Sequence, residues 1–303
     1  MNNYTISVLI FIFLFIFLLF LIYNGWCDYF NNSAIVENFN NNNNNNNNKP
    51  YLWQYWDNLD GKEMPAYISL CLKTVDKNCH EFNIIRLNKN NIYDYLPELE
   101  KYKDKLNKLI IAHRVDIYRI FLLYKYGGIY MDADIIVLRN PIEITKKLEQ
   151  YDFVGFGCTG NKCKFGYSEP SNWLLVSRKQ SILMKQILDT LLEKINKQDT
   201  FNYHDLGKLV IWKELKDLIN NHNYKYYHYP NKIDGSRDKN GNWVTNNIIF
   251  SDKTIEYNPD DEKNMLFLVL YNSESDSNIK NMSEQELMAQ EWNYTRFLKR
   301  ALN

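Results

Sequence analysis

The sequence predicts an α/β fold with a largely parallel central sheet. Three observations carry that expectation. From Tyr51 onward, short apolar or aromatic runs alternate with segments of helical period. One long helical segment stops at a glycine pair and is followed at once by a strand. Hydrophobic residues make up 45% of the 303-residue chain and aromatics 15%, ample material for a packed core.

The elements follow in chain order. Residues 1–5 are a short tail. Ile6–Tyr23 is an apolar run broken only by Ser7. As a helix it spans ~27 Å, close to the ~30 Å of a hydrocarbon core, so it predicts a single transmembrane signal anchor. A cleavable signal peptide has a shorter apolar stretch and a basic start, whereas Asn2, Asn3 and Tyr4 precede this one. No Lys or Arg occurs before Lys49, and the free amine of Met1 against Asp28 favours a cytosolic amino end. That orientation is type II, with the rest of the chain on the non-cytosolic side of a membrane. Residues 24–50 are polar and contain an uninterrupted Asn run from Asn40 to Asn48, which reads as a flexible stem. Residues 51–303 form the body.

Tyr51–Trp56 suits a first strand leading to a turn at Asp57, Asp60 and Gly61. Pro65 stands where a helix begins, and Tyr67, Leu70, Cys71, Thr74 and Val75 keep helical spacing behind it. Phe82–Leu87 reads as the next strand. Leu109–Tyr126 is the strongest helix, with Gly127-Gly128 as a left-handed stop. Ile129–Leu138 reads as one strand, followed by strands at Asp152–Gly157 and Trp173–Ser177 and a helix from Ile182 to Ile195. The remainder is Tyr- and Asn-rich, with a strand at Leu266–Tyr271.

Charge excludes one class of partner. Lys plus Arg number 36 and Asp plus Glu 36, so no polyanion-seeking surface is present and nucleic acid is not expected as a partner. Of five cysteines, Cys71/Cys79 and Cys158/Cys163 are close enough in sequence to pair in a secretory lumen, but neither pair has zinc-site spacing, and structural thiols are the default. Asn31, Asn281 and Asn293 begin Asn-x-Ser/Thr sequences, usable as glycosylation acceptors only in a lumen.

The chemistry concentrates between His113 and Pro141. In an extended strand Asp132 and Asp134 project to the same side, ~7 Å apart along the chain. Apolar residues flank them on both sides, so the strand is buried and the two carboxylates converge. Like charges ~6 Å apart repel by ~3 kcal/mol at an effective dielectric of ~20. A divalent cation compensates them economically, because Mg²⁺ or Mn²⁺ takes one or two protein carboxylates and fills its shell with water and substrate phosphates. For the tripeptide alone, a solvated surface turn is the plainer reading. Upstream, Asp116 and Arg119 are three residues apart and share one helix face. On their own they read as an ordinary helix ion pair. The glycine turn folds the strand back beside that helix, so four polar groups meet.

The run from Ala112 to Asp134 (AHRVDIYRIFLLYKYGGIYMDAD) resembles the glycosyltransferase sugar-binding region containing a DXD motif, shared by glycosyltransferase family 32 and the capsular polysaccharide synthesis proteins. Tyr51–Trp56 (YLWQYW) followed by Met64-Pro65 is similar to the opening strand and helix of the capsular branch. The resemblance covers Tyr51 to about Pro141. It implies a GT-A type nucleotide-binding fold, a nucleotide-sugar donor, a bound Mn²⁺ or Mg²⁺, and transfer to a glycan, glycolipid or protein acceptor with retention of configuration. Carried over by position, Asp132 and Asp134 engage the metal and the donor, Asp116 and Arg119 bind hydroxyls of the donor sugar, and Trp53 lies against the nucleotide base. Val115 departs from relatives that carry a small or hydroxylated residue there.

Two other functions compete. A phosphatase or phosphotransferase of the haloacid dehalogenase type also places D-x-D after an apolar strand. It prefers Thr or Val two residues past the second acid, where this chain has Ile136, and an earlier strand. The other is an inactive, membrane-tethered structural protein with the same fold. His204, Asp205, His222 and His228 read as structural or exposed, and Asn272 and Ser273 follow a strand near which relatives supply a further metal contact.

Overall fold

A computed structural model of the chain describes residues 49–58, 61–159, 163, 168–230 and 233–303. The predicted anchor, nearly all of the stem and part of the Asp57–Gly61 turn lie outside the described residues. Among the described residues no helix is long and apolar enough to cross a membrane.

The strands are β1 (Tyr51–Tyr55), β2 (Asn83–Leu87), β3 (Gly128–Met131), β4 (Ile135–Val137), β5 (Phe153–Cys158), β6 (Glu169–Ser177), β7 (Tyr226–Pro230) and β8 (Phe267–Val269). Helices of ten residues or more are α1 (Ala66–Asn78), α2 (Ile111–Tyr126), α3 (Ile182–Lys197), α4 (Lys208–His222) and α5 (Asn293–Leu302). Six strands form the main sheet in the order β2-β1-β3-β6-β5-β7. β2, β1 and β3 pair in parallel, β6 is antiparallel to both β3 and β5, and β7 is parallel to β5. The sheet is therefore mostly parallel, with one reversed strand. β4 and β8 form a second, two-stranded antiparallel sheet.

Each face of the main sheet carries its own core, because strand side chains alternate. Trp53, Tyr130, Phe153 and Leu175 face α2, α3 and α4. Leu52, Ile129, Val154 and Val176 face the opposite layer, where Val75 and Cys79 of α1 meet the β4–β8 pair. The other side of α1, through Tyr67, Ile68 and Cys71, packs on Tyr294, Phe297 and Leu298 of α5. Thr74 ties α1 to β4, its hydroxyl accepting the Val137 amide at 2.9 Å.

The glycine pair after α2 is required by geometry. Gly127 and Gly128 hold φ of 70° and 96°. A Cβ on Gly128 would lie 2.4 Å from the Tyr51 carbonyl oxygen, so only glycine lets β3 lie against β1 here. α2 begins at Ile111 rather than Leu109 because Ile110 is extended, with ψ of 155°.

Several expectations need correcting. Ile129–Leu138 is not one strand: β3 ends at Met131 and β4 begins at Ile135 in the other sheet. The Asp132 amide still donates to Trp173 O of β6 at 2.8 Å, whereas Asp134 O accepts from Leu270 at 3.1 Å. The chain thus changes sheets across the acid pair, which the continuous apolar pattern concealed. β6 starts at Glu169, well before Trp173. α4, β7 and α5 lie in the late region for which only the Leu266–Tyr271 strand was expected. Cys158 and Cys163 are joined as a disulfide rather than left as thiols, while Cys71 and Cys79 are buried and free.

Candidate active site

The bend between β3 and β4, the inner face of α2 and the turn after β8 border one cavity of ≈ 1480 Å³. Asp116, Arg119, Asp132 and Asp134 all line it. The two acids of the bend converge, but by a different route from strand alternation. Asp132 is pinned by β6 and Asp134 by the β8 turn, whose Asn272 amide donates to Asp134 Oδ2 at 2.9 Å.

Arg119 organises the cluster. Its Nη2 stands 3.4 Å from Asp116 Oδ1 and 3.3 Å from Asp132 Oδ1. Nε donates to Val115 O at 3.4 Å, and Nη1 donates to Asn172 O. Its Cζ lies 4.7 Å from the centre of the buried Tyr130 ring, a cation–π contact that fixes the guanidinium plane. Asn172 Nδ2 donates to Asp116 Oδ1 at 2.8 Å. Gly207, at the start of α4, closes over this pair, since a Cβ there would lie 2.6 Å from Asp116 Oδ2 and 2.7 Å from Asn172 Nδ2.

Electrostatically the cluster carries more negative charge than it balances. Burial raises the Asp116 carboxyl to about 6, partly opposed by Arg119 and reinforced by Asp132. Burial also raises Asp134 to about 7, with Asp132 adding to the shift and the Asn272 amide opposing it. Asp132 is raised by burial and held back by Arg119. Burial opposes the charge on Arg119, but Asp132 and Asp116 outweigh it and keep the guanidinium protonated. Three carboxylates thus stand around one guanidinium, which pairs directly with Asp116 and Asp132.

That surplus, and the all-oxygen donor set, fit a hard divalent cation at Asp132 and Asp134. Among the described residues no group of three or more His, Cys, Asp or Glu is arranged to hold a metal. Two carboxylates suffice for Mg²⁺ or Mn²⁺ when phosphate and water complete the shell.

Trp53 does not reach the cavity. It is 0% exposed, stacks on Tyr51 at 4.8 Å and donates its indole N–H to Gly127 O at 2.9 Å. It lies on the helix-side face of β1 together with Tyr55, and only the end of the strand, at Tyr55 and Trp56, reaches the cavity. Val115 lines it beside Asp116. His204, Asn272 and Ser273 are on the wall too, whereas Asp205 caps the Asn202 amide at 2.8 Å. His222 is exposed, and His228 sits between Tyr226 and Gly157. Asn172, Gly207 and Tyr203 gave no sequence signal, because each belongs to the site only through the packing of β6 and α4 onto α2.

Residues 22–233 match the model of a family described as capsular polysaccharide synthesis protein, more than two thirds of the chain. No curated protein matches. Among solved structures, the chain is similar to "PaToxG Glycosyltransferase" at 16% identity and a TM-score of 0.44, covering 57% of this chain and 70% of that one. It is also similar to the UDP-bound glycosyltransferase domain from the YGT toxin, at 9% identity and a TM-score of 0.32 over 58% and 68%. A third similar structure is a glycosyltransferase involved in the glycosylation of the major capsid of PBCV-1, at 12% identity and a TM-score of 0.35 over 76% and 98%.

Proposed function

The chain belongs to the capsular polysaccharide synthesis protein family, and on that premise we propose that it is a metal-dependent glycosyltransferase of GT-A type. It moves a sugar from a nucleotide-sugar donor to an acceptor, with retention of configuration. The observation that carries this reading is the meeting of Asp116, Arg119, Asp132 and Asp134 on one cavity wall. Its volume of ≈ 1480 Å³ exceeds the roughly 300–1,000 Å³ of a pocket for one small ligand and accommodates donor and acceptor together.

The parts divide the work. Asp132 and Asp134 hold Mn²⁺ or Mg²⁺, which when bound stabilises charge developing on the leaving diphosphate. Arg119 locks Asp132 in place and presents its fork toward the donor sugar. Asp116, oriented by Asn172 and capped by Gly207, accepts a sugar hydroxyl, and Val115 sets the space beside it. Tyr55 or Trp56, rather than Trp53, faces the nucleotide base.

The same reading places the protein in a membrane as a single-pass type II protein, anchored by residues 6–23, with its body on the non-cytosolic side. The Cys158–Cys163 disulfide supports this side, since such bonds persist in oxidising compartments.

The test is a screen of UDP- and GDP-sugars with the purified full chain and Mn²⁺, reading nucleoside diphosphate release. Metal-dependent release, lost in the Asp132→Asn/Asp134→Asn variant, is the expected result. Phosphate release from a generic phosphoester without nucleotide-sugar turnover would replace this function with a phosphatase.

A further inference from the structure

Four large hydrophobic side chains are exposed among the described residues: Ile110, Ile182, Tyr203 and Trp243. All but Ile182 line the cavity that holds the acid cluster. Exposed apolar surface gathered at one mouth marks a binding surface, whereas scattered single residues need no explanation.

Trp243 is 50% exposed, yet its segment is tightly stitched. Asp238 N donates to Asn242 O and Val244 N to Ser236 O, both at 3.0 Å. The Asp238 carboxylate accepts the amides of Asn240 at 2.9 Å and Asn242 at 2.8 Å, and the Asn242 side chain at 2.9 Å. Arg237 and Trp243 face each other across this hairpin. The Arg237 Cζ lies 3.4 Å from the Trp243 ring centre, and its Nη1 donates to Gly241 O at 3.0 Å. Tyr271 meets the indole edge-on at 6.5 Å. The hairpin thus spends its hydrogen bonds holding a large aromatic surface out at the cavity mouth.

We propose that Trp243, braced by Arg237, is the stacking platform for a saccharide acceptor; this rests on the glycosyltransferase reading. A pyranose is amphipathic, with an apolar C–H face and a rim of hydroxyls, and needs an aromatic plane beside polar groups. The half-buried Asn272 and the exposed Ser273 share the wall with Trp243 and supply those groups. The matched family region ends at residue 233, before the hairpin. Its position outside the matched region separates it from the acid cluster, which lies inside, and suits acceptor choice rather than donor chemistry. The cavity also has room for a second substrate.

The test uses the full chain with Mn²⁺, the nucleotide sugar it hydrolyses, and free mono- and disaccharides as acceptor probes. Trp243→Ala is expected to raise the acceptor KM about tenfold, the loss typical of truncating one aromatic anchor. Trp243→Phe keeps a ring and recovers most of that loss. A structural defect would move both KM values, so the acceptor-to-donor ratio is the readout. An acceptor KM equal to that of the parent overturns the platform. So does a rise confined to the donor KM, which would put a nucleobase on the indole, or transfer to peptide probes alone. A second measurement needs no turnover: the Trp243 indole N–H signal in NMR, identified by its loss in Trp243→Phe, is followed during saccharide titration. A shift supports the platform even if nucleotide-sugar hydrolysis fails, a failure that would sink the enzymatic reading instead. No shift up to the solubility of the probes overturns the platform.

Discussion

Arg119 Nη2 stands 3.3 Å from Asp132 Oδ1 and so joins the helix before the glycine pair to the bend after it. One guanidinium holds together two segments that a sequence reader sees as separate features, and it is the sole cation in direct contact with the acids in the ion pairs described for this cluster.

Removing the acids should separate activity from stability. Asp132→Asn and Asp134→Asn each reduce metal-dependent nucleotide-sugar hydrolysis by about 10²–10³, the cost of losing one charge-stabilising contact at a transition state. Each also lowers the negative charge crowded around Arg119, so thermal unfolding should show a Tm equal to or above that of the parent.

Removing the guanidinium should do the opposite. Arg119→Leu leaves the buried Asp116 and the half-buried Asp132 without their counter-charge, a loss of about 3–5 kcal/mol. Urea unfolding measures it. Arg119→Lys retains the charge but loses the fork that spans Asp116, Asp132 and Asn172 O, and should keep more stability than activity.

Gly207→Ala places a Cβ within 2.6 Å of Asp116 Oδ2 and 2.7 Å of Asn172 Nδ2. Those side chains must shift to admit it. The expected result is a folded protein whose donor KM rises, read by steady-state kinetics beside far-UV circular dichroism.

His228 should give stability a defined pH dependence. Its Nε2 faces Gly157 O at 3.1 Å and therefore carries the proton, leaving Nδ1 to accept from the Tyr226 hydroxyl at 2.6 Å. Burial lowers its pKa to about 4, against ~6.5 in the unfolded chain. Between these values the unfolded chain binds a proton that the folded protein refuses. The contribution is full above ~6.5 and is lost as pH falls toward 4. Urea midpoints measured across that interval should fall less steeply in His228→Gln than in the parent.

Much of the first half was legible. α1, α2 and β1–β3 have strong periodic patterns, an N-terminal proline and a glycine stop, all local signals. The bend at Ala133 was not, because Ile129–Leu138 is apolar on both sides of the acids and nothing local marks a change of sheet. Trp53 shares a strand face with Tyr55, and nothing local says that only the last residues of β1 reach the cavity. Asn293 satisfies a glycosylation sequence, yet its amide donates to the carbonyls of Ile248, Ser251 and Lys253 inside the fold, so only packing rules it out as an acceptor.

By itself the order of residues determined the alternation of strand and helix, the spacing of Asp116, Arg119, Asp132 and Asp134, and the turn that brings them near one another, since each depends on neighbours a few positions away. Tertiary structure alone decided which backbone groups pin each acid, that Asn172, Gly207 and Asn272 complete their surroundings, and that Trp243 stands at the mouth. Those contacts join segments separated by dozens of residues, and hydrogen-bond geometry between distant segments leaves no periodic trace in the chain that makes it.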